Sequence, residues 1–157
     1  MCSGLNTNEA IEDCYKRSKS ELGSSSDKFW PKTLDPTDKG LLETNPEKSK
    51  FAEWTKVVVG YCDGSLHQGY REAPIQYKRT SLYFRGAANT RALFTWLEKN
   101  ADLANADKLV VSGGSAGAIA SYIWSNYAAS KVLNPNNVMI IPDSGVFLKT
   151  TTYQTDF

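Results

Sequence analysis

The chain has 157 residues, of which 41% are hydrophobic, and a formal net charge of +1 from 18 basic and 17 acidic side chains. This length allows one globular domain with its own core, because a chain of this size buries about two-thirds of its unfolded surface. Neither sign of charge forms a long block, and no apolar run approaches the roughly 20 residues of a membrane span. We therefore predict no nucleic-acid partner and no transmembrane segment.

The N-terminal segment predicts a helix from Asn8 to Leu22 that ends at Gly23. One face of this helix would hold Ile11, Cys14, Tyr15 and Leu22. Acidic residues at positions 9, 12 and 13 replace the apolar core of a secretory signal peptide, so we expect no export signal within this sequence.

The sequence has three cysteines, Cys2, Cys14 and Cys62, and no C-x-x-C pair, which argues against a zinc site. A Cys2–Cys14 bridge and two free thiols are both compatible with the spacing.

A surface excursion is predicted for residues 24–50, where Ser, Lys and Asp are frequent and Pro31, Pro36 and Pro46 disfavour long regular structure. The next segment, Trp54 to Tyr61, reads as a strand. Its Val57-Val58-Val59 run is typical of a parallel strand buried on both faces.

His67 is the single histidine in the sequence and lies in a loop ahead of Ser115, the serine discussed below. In α/β-hydrolases the catalytic histidine follows the nucleophile, so we interpret His67 as a loop residue and keep a rearranged triad only as an alternative.

Residues 71–81 are expected to form an exposed loop or short hairpin. A helix is predicted to follow through about Lys99, because apolar and small residues recur at helical spacing. They are Tyr83, Gly86, Ala87, Thr90, Phe94 and Leu97.

The most informative stretch is Lys108 to Gly117, in which a short apolar strand leads into Gly113-Gly114-Ser115-Ala116-Gly117. This matches the G-x-S-x-G nucleophile elbow, and the following Ala118 to Ala129 predicts the helix that the motif requires, with Ile119, Ile123 and Tyr127 on one stripe.

Ser115 is the predicted nucleophile, held in strained torsions between strand and helix. A Cβ at position 113 or 117 should collide with the neighbouring backbone, which explains Gly113 and Gly117, with Gly114 completing the turn. The helix beginning at Ala116 would direct its free N–H groups at an oxyanion on the Ser115 acyl group.

A further strand is predicted at Val138 to Ile141, followed by a corner at Asp143. Strands near 57, 109 and 139 alternate with helices, which predicts an α/β fold with a parallel sheet. Asp63, Ser115 and Asp143 would then share one rim of the sheet, where such folds bind ligands.

Several ordered motifs resemble the pectin acetylesterase/Notum family of serine carboxylesterases. They are Tyr61-Cys62-Asp63-Gly64-Ser65, Leu82-Tyr83-Phe84-Arg85-Gly86, Ser112-Gly113-Gly114-Ser115-Ala116-Gly117 and Asp143-Ser144-Gly145-Val146-Phe147-Leu148, with Cys2, Cys14 and Leu22-Gly23-Ser24-Ser25 ahead of them.

The resemblance implies an α/β-hydrolase fold in a secreted or cell-surface, disulfide-bonded protein. It also implies removal of acetyl groups from plant pectin or, in Notum, of a fatty acyl group from a signalling protein. By position, Ser115 matches the nucleophile of the family, and the Ala116 N–H matches an oxyanion donor. Asp143 lies in a motif that is structural in the family. A role for Asp143 as the triad acid stays an alternative. No metal or organic cofactor is implied, and the expected partner is a small-molecule or polysaccharide O-acyl ester.

The sequence also departs from the family pattern. The glycine-rich oxyanion loop should precede Cys2, and the catalytic acid and histidine should lie downstream of residue 157. We therefore expect residues 1–157 to be part of an α/β-hydrolase domain cut at both ends, with unpaired sheet edges. The alternative is a catalytically silent α/β remnant or binding module, because losing a triad member costs roughly 10⁴ to 10⁶ in turnover.

Overall fold

The computed structural model of the protein describes residues 2, 4–30, 33 and 40–145. Within them, four α-helices and four strands follow in the order α1 (Thr7–Arg17), β1 (Ile75–Tyr77), β2 (Thr80–Leu82), α2 (Gly86–Asn100), β3 (Leu109–Gly114), α3 (Ala116–Ile123), α4 (Ser125–Ala129) and β4 (Val138–Asp143). Three motif residues, Val146, Phe147 and Leu148, lie outside the described residues, as do Pro31 and Pro36 of the predicted excursion.

The predicted α/β class is confirmed by the pairing of β3 with β4. The two strands are parallel and in register from Leu109 opposite Val138 to Gly114 opposite Asp143. Between them the chain passes through α3 and α4, so the unit is a β-α-β crossover.

A hydrophobic cluster joins this crossover to α2. Its buried members are Phe94, Leu103, Ala128 and Val132. Half-buried side chains from both strands, including Leu109 and Val138, pack against them. The cluster holds the helices against the sheet.

A second cluster surrounds a disulfide between Cys2 and Cys14, whose Cα atoms lie 5.2 Å apart. The bridge joins the segment ahead of α1 to the helix itself, and buried Leu82 and Phe84 complete the cluster from the side of the β1–β2 hairpin. The structure thus selects the bridged alternative and leaves Cys62 as a free thiol.

The first helix is shorter than predicted because serines end it. The N–H of Ser18 bonds to the Cys14 carbonyl, and the Ser18 and Ser20 hydroxyls donate to the carbonyls of Tyr15 and Arg17. Such side-chain bonds compete with helix continuation. Leu22 is therefore exposed and does not join the helix face predicted for it.

The strand predicted over 54–61 is wrong for the described structure. The valines at 57–59 are 43 to 47% exposed, and no backbone hydrogen bond joins this segment to β3 within the described residues. A valine run favours an extended chain but becomes a strand only against a partner edge. Here residues 55–59 and β3 line a common cleft instead of pairing.

Of the loop or short hairpin predicted over 71–81, the structure has the hairpin, formed by β1 and β2.

Two helix predictions need smaller corrections. The helix α2 begins only at Gly86, which leaves Tyr83 exposed outside it. The helix after Ser115 is interrupted at Trp124, and Ile123 is exposed instead of lying on a buried stripe. Across the part of the chain that is described, no helix is long and apolar enough to cross a membrane.

Candidate active site

Ser115 is the single residue between the end of β3 and the start of α3. Its backbone torsions are φ 52° and ψ −111°, a positive-φ conformation that side-chain-bearing residues rarely adopt. The side chain is exposed. Strain of this kind persists only where the surroundings impose it.

Hydrogen bonds on both sides of Ser115 impose that conformation. Its N–H donates to the Asp143 carbonyl oxygen at 3.1 Å, which extends the β3–β4 pairing by one bond. Its own carbonyl accepts the N–H groups of Ala118 and Ile119 at 3.0 and 3.3 Å, which starts α3. The sheet and the helix thus meet at one residue.

Glycines permit the sharp reversal, but not in the way the motif alone suggests. A Cβ at Gly113 would lie 2.5 Å from the Gly117 carbonyl carbon and oxygen, as predicted. A Cβ at Gly117 would meet nothing within 4 Å, so the collision predicted there is wrong. The small residue that the helix does require is Gly145, where a Cβ would lie 2.2 Å from that of Ala118.

Ala116 opens α3, and the first N–H groups of a helix have no carbonyl partner in the preceding turn. They carry the positive end of the helix dipole. An oxyanion bound to a Ser115 acyl group would lie beside these groups, which is the geometry that makes the Ala116 N–H a candidate donor.

Ser115 lies in a cleft of about 920 Å³. Its lining includes Val57 to Val59, β3, and aromatic rings from Tyr61 and Trp124. A cleft of this size that combines apolar side chains with polar groups is typical of small-ligand sites. The sequence did not predict that Trp124 would lie here, because a single tryptophan in a helix carries no positional signal.

His67 and Asp143 also line this cleft. The imidazole of His67 packs against the Tyr61 ring, with the ring centroids 5.0 Å apart. The backbone carbonyl of His67 accepts the Trp124 indole N–H at 3.0 Å. Burial lowers the pKa of His67, and the nearby charge of Asp63 opposes this in part. Among the described residues no hydrogen bond joins the side chains of Ser115, His67 and Asp143.

The carboxylate of Asp143 accepts the Ser144 hydroxyl at 2.9 Å, while its backbone carbonyl holds Ser115. Both contacts are structural. The alternative role as triad acid remains a prediction.

Asp63 does not share the rim with Ser115 and Asp143, so that prediction is wrong. It is 6% exposed, accepts hydrogen bonds from the backbone N–H and hydroxyl of Ser65, and lines a separate cavity of about 500 Å³ beside the disulfide. The segment ahead of Asp63 is not a strand and does not pair with β3 in the described structure. The Asp63 carboxylate instead bonds within its own loop, to Ser65. The described residues contain no group of three or more metal-ligating side chains.

These features define an α/β protein with a serine on a strand-to-helix elbow. The pectinacetylesterase family model matches residues 1–156, and the chain belongs to this family.

Curated relatives from Arabidopsis thaliana belong to the same family. Pectin acetylesterase 5 is 30% identical over 139 residues, covering 88% of this chain and 31% of the relative. Pectin acetylesterase 4 is 29% identical over 139 residues (88% and 32%), and pectin acetylesterase 11 is 34% identical over 109 residues (69% and 26%). The chain thus matches between 26 and 32% of the length of these relatives. No solved structure matches.

Proposed function

We propose that the protein is a serine carboxylesterase that hydrolyses O-acetyl esters, with Ser115 as its nucleophile. The observation that carries this proposal is the strained, exposed conformation of Ser115 between β3 and α3, facing a cleft. Residues held in such strained torsions cluster at active sites. The family of the chain supports the ester as substrate.

In the proposed reaction the Ser115 hydroxyl oxygen attacks the acetyl carbonyl carbon while a histidine takes the hydroxyl proton. The oxyanion of the tetrahedral intermediate accepts a hydrogen bond from the Ala116 N–H. Collapse of the intermediate expels the alcohol, which receives the proton, and leaves an acetyl-serine. Water, deprotonated by the same histidine, then attacks the acetyl carbonyl carbon of the acetyl-serine. Collapse of this second intermediate releases acetate and returns the proton to the Ser115 oxygen.

The histidine in this scheme is proposed to lie outside residues 1–157. His67 is stacked on Tyr61, and it makes no hydrogen bond to Ser115 in the described structure. By resemblance, the catalytic acid and a second oxyanion donor also come from segments outside this sequence. One oxyanion donor is worth on the order of 3 kcal/mol of transition-state stabilisation, so both donors matter for turnover.

The proposed substrate is an acetylated polysaccharide of the pectin type, because the relatives are pectin acetylesterases. A secreted or cell-wall location is proposed on the same basis. The Cys2–Cys14 disulfide supports it, because such bonds persist in oxidising compartments.

The test is labelling of the full-length protein with a fluorophosphonate probe, which reacts with activated serines. We expect the label on Ser115, its loss in Ser115→Ala, and its retention in Ser112→Ala. Ser112 is a matched control, since it also lines the cleft but its hydroxyl donates to the Ile141 carbonyl at 2.7 Å. An unlabelled but folded wild-type protein would refute the proposal and favour a binding module.

A further inference from the structure

Around the N-terminal end of α2 the fold gathers arginines that form no ion pair with the acidic residues that the structure describes. The sequence from 64 to 97 contains five basic side chains, Arg71, Lys78, Arg79, Arg85 and Arg91, and one acidic side chain, Glu72. Lys78 pairs with Glu12. Arg71, Arg85 and Arg91 are exposed and form no ion pair within the described part of the chain.

Backbone contacts bring these three arginines onto one surface. The Arg71 N–H bonds to the Phe84 carbonyl at 2.9 Å, and the Ala87 N–H to the Gly69 carbonyl at 3.0 Å, so the 69–73 loop lies along the start of α2. The guanidinium of Arg85 donates to the Glu72 carbonyl oxygen. Arg91 lies one turn beyond Ala87 on the same helix.

Aromatic rings alternate with these charges. Arg91 lies 6.0 Å from the ring centre of Tyr70, which is 69% exposed, and 5.7 Å from that of Trp124. Arg85 lies 5.4 Å from the ring of Tyr83. Because Trp124 also lines the cleft of Ser115, the surface leads to the candidate active site. We call these six residues, Tyr70, Arg71, Tyr83, Arg85, Arg91 and Trp124, the arginine–aromatic surface.

Arg85 lies where the helix dipole favours a negative charge. It occupies the N-cap of α2, and the first turn contains no acidic residue. A cation at this end of a helix is repelled by the dipole, whereas an anion there is stabilised. A bound carboxylate would relieve this repulsion and would pair with the guanidinium fork.

We propose that the arginine–aromatic surface binds a carboxylated polysaccharide, a chain of uronic acid residues, and guides it to the Ser115 cleft. Arginine forks pair with the sugar carboxylates, and the rings of Tyr70, Tyr83 and Trp124 pack against the flat faces of the sugars. The inference rests on the proposed function for its polysaccharide, and it adds the residues that select the charge of the polymer.

The binding is measured with full-length Ser115→Ala protein, so that its result does not depend on esterase activity. The probes are polygalacturonate and the same polymer with its carboxyls methyl-esterified. We expect binding to polygalacturonate that weakens as NaCl is raised, because exposed charges are screened. We expect much weaker binding to the methyl ester.

Substitutions then locate the surface. Exposed ion pairs are modest, so we expect roughly threefold weaker binding for Arg85→Gln or Arg91→Gln and roughly tenfold for the double variant. Arg79→Gln is the matched control: it removes the same charge from the same segment, but at the turn between β1 and β2. Thermal unfolding confirms that each variant is folded.

Three results would overturn the inference: equal binding of polygalacturonate and its methyl ester, equal losses in Arg79→Gln and Arg91→Gln, or tighter binding of RNA or heparin than of polygalacturonate. The last would indicate a general polyanion surface. A failure of fluorophosphonate labelling would refute the esterase without altering any of these binding results.

Discussion

The N–H of Ser115 bonds to the backbone carbonyl of Asp143 at 3.1 Å, immediately beyond the rung where Gly114 lies opposite Asp143. The last bond of the parallel sheet therefore holds the strained residue. This contact involves the backbone of Asp143 and not its carboxylate. The conformation of the elbow should consequently survive changes to the Asp143 side chain.

Asp143→Asn is expected to retain esterase activity within about tenfold of the wild type, because an asparagine oxygen can still accept the Ser144 hydroxyl. A triad acid would behave differently, since its amide variant loses about 10⁴ in turnover. Turnover of p-nitrophenyl acetate by the full-length protein separates the two roles. A loss of the larger size would establish Asp143 as the acid.

Gly113→Ala should destabilise the protein by about 2 to 3 kcal/mol, because the new methyl group would have to displace the Gly117 backbone. Gly114→Ala is the matched control, since a Cβ there meets nothing within 4 Å and should change stability by less than about 0.5 kcal/mol. Urea unfolding measures both. Equal effects at the two positions would contradict this account of the elbow.

The elbow could be predicted from the sequence because its requirements are local. A short apolar run, a serine flanked by glycines and a helix-forming stretch are adjacent in the chain, and β3, Ser115 and α3 follow the same order. The parallel partner β4 was predictable for a similar reason, since Val138 to Ile141 repeats the apolar pattern of β3.

The remainder depended on distant contacts. Val57 to Val59 have the composition of a strand, but a strand needs a partner edge, and that edge is separated from them by the cleft. The prediction that Asp63 shares a rim with Ser115 fails for the same reason, because it depends on a strand over 54–61. The need for a glycine at position 145 follows from its approach to Ala118 across the crossover. The exposure of Leu22 follows from the hydroxyl bonds that end α1. No local pattern reports any of these.

Removal of the Cys2–Cys14 bridge should lower the free energy of unfolding by about 3 kcal/mol, the value expected for a loop of this short length. The comparison is Cys14→Ser against Cys62→Ser, measured by urea unfolding. Burial and the charge of Asp63 raise the pKa of the Cys62 thiol, so it should alkylate slowly near neutral pH in the folded protein. A Cys14→Ser variant as stable as the Cys62→Ser control would show that the bridge contributes little.

His67→Asn should leave fluorophosphonate labelling of Ser115 unchanged within about threefold, because a general base must lie within hydrogen-bond reach of the proton it takes. Asparagine suits the positive φ of 60° at this position better than most residues. The labelling rate of the folded variant is the measurement. A loss near that of Ser115→Ala would reveal a rearranged triad containing His67.

The pH dependence of stability provides a separate test of the environment of His67. Burial lowers its pKa from the ordinary value of 6.5, so below that pH the unfolded chain binds a proton that the folded chain does not. Stability should be full above pH 6.5, fall as the pH drops below it, and level off once the pH is below the folded pKa. Urea midpoints measured from about pH 5 to pH 7.5, the range in which histidine titrates, give this profile. His67→Asn should make the slope shallower, and an unchanged slope would assign the pH dependence to other groups.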